Sequence, residues 1–226
     1  MPAGKLAPAE PRRQGAGMSD ISDREARVAA LQQSLGDEHP DTLAAMLDLA
    51  EALWAEGRLT TARGFEEQVV AARRRLLGET HGDTLKALGK LATTVGQQGD
   101  LDEARRLQEH IVAHAAEAWG EEGRDALRAL NNLAGTLAAQ GDLLAARELL
   151  EQALGEMCRL FGEEDADSLA AMGNLAAVLW HLGERDEAYW LQQQVADTQR
   201  RLHGDNAPAT RAALTALHAM QKDAGF

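Results

Sequence analysis

The sequence predicts an all-α protein, a solenoid of antiparallel helix pairs with four full repeats and a half repeat at each end. Three observations predict it. Glycine recurs every 42 residues at Gly36, Gly78, Gly120, Gly162 and Gly204. A second series, Gly57, Gly99, Gly141 and Gly183, keeps the same interval half a repeat later. Between the two series, leucines fall into columns with helical spacing. Self-similarity at a fixed period of this length marks stacked supersecondary units, none of which can bury its apolar face alone.

In chain order, residues 1–20 carry no periodic apolar pattern and are expected to form a disordered leader, with Met18 as an alternative start. Residues 22–35, SDREARVAALQQSL, read as a lone second helix of the repeat (helix B), opened by a capping box of Ser22 with Glu25. One solenoid domain is expected over 21–226, made of repeats 36–77, 78–119, 120–161 and 162–203 and a cap helix in 204–226. Each repeat opens with helix A. Its buried stripe is Leu43, Met46, Leu49 and Leu53 in repeat one, then Leu85, Leu88, Leu91 and Val95 in repeat two. Repeats three and four continue it as Leu127, Leu130, Leu133, Leu137 and Leu169, Met172, Leu175, Leu179. Spacings of three, three and four put each set on one face of an α-helix. Pro40 and Pro208 suit the first helical position, where the missing N–H costs nothing.

The Gly57 series ends helix A, because glycine accepts the positive φ that a helix C-terminus often needs. Helix B follows, with Ala62, Ala104, Ala146 and Ala188 in one column and Phe65, Leu107, Leu149 and Leu191 in another. The Gly36 series ends helix B. Ala50, Ala92, Ala134 and Ala176 should face the Ala62 series across each hairpin, where a large side chain would cost about 1–3 kcal/mol in strain. The last helix A, about 207–222, carries His218 and Gln221 where the inner repeats are apolar, as a terminal cap requires.

Composition narrows the function. The chain has 226 residues, 45% hydrophobic, 26% charged and only 4% aromatic, which suits helices packed closely through alanine. A formal net charge of −13 disfavours phosphate backbones and anionic membrane surfaces, so neither nucleic acid nor membrane is an expected partner. A single cysteine, Cys158, excludes an internal disulfide and fits a reducing, cytoplasmic setting. No apolar run approaches the roughly 20 residues that span a bilayer.

The repeat resembles the tetratricopeptide repeat family, in the 42-residue variety of kinesin light chains and many bacterial repeat proteins. The matching residues are HPDT at His39 to Thr42, QGDLDEA at Gln98 to Ala104, LNNLA at Leu130 to Ala134 and GNLAAVL at Gly173 to Leu179. The resemblance recurs in register over about 36–222. It implies a right-handed superhelix whose A helices line a concave groove, and a scaffold or adaptor that binds peptides or protein segments there. No long heptad region accompanies it, so the resemblance carries the module and not a motor role.

The face of helix A opposite its buried stripe should line that groove. It presents Trp54, beside Leu47, in repeat one; Lys86 and Lys90 in repeat two; Arg128, Asn131 and Asn132 in repeat three; and Asn174 and Trp180 in repeat four. The resemblance implies that asparagines at the position of Asn132 and Asn174 bond to ligand backbone, and side-chain amides suit this by offering both donor and acceptor. Two readings of Lys86, Lys90 and Arg128 stay open. They either bind an acidic segment through charge-assisted bonds, or pair with nearby carboxylates as an ordinary solvated face. Trp54 and Trp180 either anchor a partner or fill space under the turn. Gly89, Gly96, Gly135 and Gly173 interrupt the same face, each costing about 1 kcal/mol against alanine in a helix. Close approach by a ligand or neighbouring helix would explain them, as would drift.

No catalytic constellation and no cofactor site is expected. His110 and His114 have the spacing of a two-histidine metal pair but no third ligand, so no metal is assigned. Cys158 has no evident activating base. The expected function is protein–protein interaction through the groove. The alternatives are a self-assembling scaffold, through the terminal helices or an exposed Tyr189–Trp190 pair, or a regulatory subunit of a larger, bacterial-type signalling complex.

Overall fold

The nine glycines of the two series all adopt positive φ, between +77° and +99°, and each lies at the end of a helix. The computed structural model describes the backbone of residues 14–224 and the side chains of 20–223. Ten helices make up the described residues, with no strand among them. They are α1 (Gln14–Leu35), α2 (Pro40–Ala55), α3 (Leu59–Leu77), α4 (Gly82–Gln97) and α5 (Leu101–Trp119). Then follow α6 (Arg124–Gln140), α7 (Leu143–Phe161), α8 (Ala166–Leu182), α9 (Arg185–His203) and α10 (Pro208–Ala224). This is the expected all-α, helix-pair repeat class: α2, α4, α6, α8 and α10 are A helices, and the odd-numbered ones are B helices. Pro40 and Pro208 open α2 and α10.

The lone N-terminal helix is longer than expected. It begins at Gln14, so 14–20 are helical where a leader was expected, and Ser22 lies inside the helix rather than capping it. The reason is Ile21. It is buried on the same stripe as Val28, seven residues on, and burying it there requires helix on both sides. The rest of the expected leader, residues 1–13, lies outside the described residues.

The described residues group into two compact units that divide between Leu76 and Leu77. In the first, α1 packs on α2, and Arg24 reaches from α1 to the Asp48 carboxylate at 2.5 Å. In the second, each helix from α4 to α10 packs on the next, and α6 also touches α8. Its core holds Leu133, Leu137, Leu150, Leu175 and Leu179, with Met220 of α10 closing the end. Both alanine columns are fully or almost fully buried, so small side chains do set the hairpin spacing.

One device of the repeat was not foreseen. Thr42 and Thr84, at equivalent positions, are fully buried, and their hydroxyls donate to the carbonyls of Gly36 and Gly78 at 2.8 Å. Each ties the glycine at the start of its repeat to the first turn of helix A, satisfying an oxygen that the helix end leaves open. The A helices are capped just before that turn, where His39 and His81 accept through Nδ1 from the N–H groups of Asp41 and Asp83. Asp165 does the same for Asp167.

Candidate functional site

The exposed face of helix A is narrower than the sequence suggests. Ala44, Lys86, Arg128 and Ala170 are exposed, as are Asp48, Lys90, Asn132 and Asn174 one turn on. Leu47, expected to face inward, is only 8% exposed, and its counterparts Gly89, Asn131 and Gly173 are half-buried. That position lies on the edge of the buried stripe, so a leucine there turns into the core.

Within the second compact unit, α4, α5 and α6 enclose a cleft of about 400 Å³. Lys86, Gly89, Lys90 and Thr93 line one side, Asp125, Arg128 and Asn132 the other, and Gln108 and Ile111 of α5 lie between. A second cleft of about 280 Å³ shares Thr93, Gln108 and Asn132 with it and runs on past Gly96, Asn131 and Gly135 to Asn174. Lys86, Lys90, Arg128, Asn131, Asn132 and Asn174 thus line one continuous groove.

Its charges are paired. Lys86 Nζ lies 2.8 Å from Asp125 Oδ2, and Arg128 Nε donates to Asp167 Oδ1 at 2.7 Å. Arg124 forms a two-pronged bond to Asp165, with a further contact to Asp167, and its guanidinium stacks 3.9 Å above the Phe161 ring. The bond from Arg124 holds the Asp165 carboxyl below its ordinary range. A run of arginine–aspartate pairs therefore joins α6 to α8, and the surplus positive charge expected here is largely neutralised. The amides are also connected, since Asn174 Nδ2 donates to Asn131 Oδ1 at 3.0 Å.

The two tryptophans differ. Trp54, in the first compact unit, is 38% exposed. Trp180, in the second, packs partly buried against the core, with its indole N–H 3.2 Å from Asp223 and Arg185 stacked over its ring. For Trp180 the space-filling reading describes the contacts observed. Tyr189 likewise packs on the core and accepts from Gln221 of α10 at 2.9 Å. Trp190 is 58% exposed and borders a cleft of about 460 Å³ with Cys158 and Met172.

The interior glycines are not close helix contacts. An added methyl would meet nothing nearer than 3.9 Å at Gly89 and Gly173 and 3.5 Å at Gly96, and nothing within 4 Å at Gly135. His110 and His114 stand with ring centroids 4.8 Å apart. The Glu79 carboxylate lies 3.6 Å from His110 Nε2, beyond hydrogen-bond reach. Among the described residues no group of three side chains could hold a metal ion. Burial pushes the Cys158 thiol above its ordinary pKa, and Glu163 adds to the shift. No described helix is long and apolar enough to cross a membrane.

Models of the tetratricopeptide repeat match residues 83–155 and, in a second form, 42–83 and 168–209, together more than half of the chain. Among solved structures, the chain is similar to the nearly identical TPR-like repeats of Podosopora anserina assigned to a kinesin light chain. The identity is 31% over 84% of this chain and 89% of that one, with a TM-score of 0.68. It is also similar to BtubC (BKLC) from P. vanneervenii, at 20% identity over 94% of this chain and 85% of that one, with a TM-score of 0.74, a likeness of fold. No curated protein matches the chain.

Proposed function

The chain belongs to the tetratricopeptide repeat family, whose members are protein-interaction modules, and we propose that the groove of residues 77–226 holds an extended segment of a partner protein. The observation that carries this reading is the continuity of the two clefts through Asn132, which lines both. Thr93, Asn131, Asn132 and Asn174 supply hydroxyl and amide groups along that line, and such groups can bond to the main chain of an extended segment.

The ion pairs bear on what the segment carries. Asp125 and Asp167 already hold Lys86 and Arg128. An acidic segment would have to displace them, exchanging one charge-assisted bond for another with little net gain. Amide and apolar contacts therefore dominate this reading, and acidity of the ligand is secondary.

The test is capture from native lysate on the immobilised full chain, followed by the double variant Lys90→Ala/Asn132→Ala. Partners that bind through the groove should be lost while the helical circular-dichroism signal stays. Unchanged capture by the variant would remove the groove from the interaction. The exposure of Trp190 favours a second reading, self-association through the outer face of α9. Light scattering over a concentration series decides it, since a strict monomer leaves that face unused.

A further inference from the structure

Glu66, Gln108, Leu150 and Gln192 occupy one position of helix B and are all buried. Leu47, Gly89, Asn131 and Gly173 occupy one position of helix A. The two positions vary together: glycine accompanies glutamine in repeats two and four, and a side chain accompanies Glu66 or Leu150 in repeats one and three. In repeat four the two positions are neighbours, since a methyl on Gly173 would lie 3.9 Å from Gln192 Oε1, an ordinary contact. Gln108 and Gly89 line the same cleft. Glycine on the groove face thus leaves a window of free space into which the amide on the floor behind it can turn.

The two windows differ in how that amide is used. Gln192 Nε2 donates to the Ala213 carbonyl at 2.9 Å. Gln108 is only 6% exposed, and its Oε1 is buried with no hydrogen-bond partner, though it borders both clefts of the groove. A buried acceptor without a donor is unfavourable, and leucine, which fills this position in repeat three, would avoid the cost. A bound N–H removes the same cost.

We propose that Gln108 is the selective contact of the groove and that it receives a primary carboxamide side chain, asparagine or glutamine, from the bound segment. This rests on the groove reading above and deepens it. A carboxamide sets a donor beside an acceptor, so it pairs with the Gln108 amide at both ends. A carboxylate would set lone pairs against Oε1. A lysine or arginine could donate to Oε1 but offers no acceptor to the Gln108 N–H groups. An aliphatic side chain would leave the amide unpaired.

The test pans a phage-displayed library of random seven-residue peptides against the full chain and against Gln108→Leu and Asn132→Ala. Asparagine or glutamine should be enriched at one position of peptides bound to the unaltered protein. Changing that residue to leucine should weaken binding about tenfold, the loss of a buried amide pair. On Gln108→Leu the same peptide change should cost nothing. Gly89→Ala gives a second arm that keeps the fold, because its methyl has room, and it should narrow the window and cut the preference. Peptides that depend on Asn132 but show no carboxamide preference, or keep it with Gln108→Leu, overturn this proposal and leave the groove reading standing. No enrichment, or binders indifferent to Asn132, overturns both.

Discussion

Thr84 shows how a single side chain joins the start of a repeat to its first helix. Its hydroxyl is buried, and it bonds to the Gly78 carbonyl. Thr84→Val keeps the shape, removes the donor and leaves that oxygen short of a partner. The variant should lose about 1 kcal/mol of stability, read as a lower urea midpoint with an unchanged slope. The recurrence of Thr42, Thr84, Ser168 and Thr210 at one position was a signal available in the sequence, but a threonine in a helical first turn does not announce where its hydroxyl goes. Gln108 is a similar case. Its place in the buried column could be read from the repeat, whereas its unpaired oxygen depends on helices that the local sequence does not describe.

At the scale of the helix, the paired alanines govern spacing. Ala134 of α6 and Ala146 of α7 are fully buried in the same core cluster. Ala134→Leu should push that hairpin apart at a cost of about 1–3 kcal/mol, seen as a lower thermal midpoint. This column was legible because a 3.6-residue period fixes which positions share a face. The charge pairs between helices were not. Arg128 meets Asp167 across 39 residues of sequence, and neither residue's type says which of the two readings of the basic stripe holds. The same network has a pH signature. The Asp165 carboxyl is depressed by its bond from Arg124, so its contribution is complete above the ordinary carboxylate range and fades as pH falls through its lowered value. Asp165→Asn, which keeps an acceptor for the helix cap, should flatten the acid limb of a stability–pH profile. An unchanged limb would show that the pair contributes nothing there.

Across the second compact unit, stability should be graded rather than uniform, because each helix packs mainly on its sequence neighbours. The last helix, α10, ends that series against α9. Its amides should exchange with deuterium faster than those of α6 and α7, which have helices on both sides. Equal protection throughout would indicate one cooperative block instead. The sequence by itself determined the helices, their order, the glycine-marked ends and the alanine-lined seams, because those follow from local geometry repeated every 42 residues. It did not determine that Ile21 draws α1 back to Gln14, that Leu47 turns into the core, that Lys86 and Arg128 are already matched by aspartates, or that the Gln108 oxygen is left without a donor. Those outcomes depend on which side chains meet across neighbouring helices, and packing settles that only when the helices are assembled.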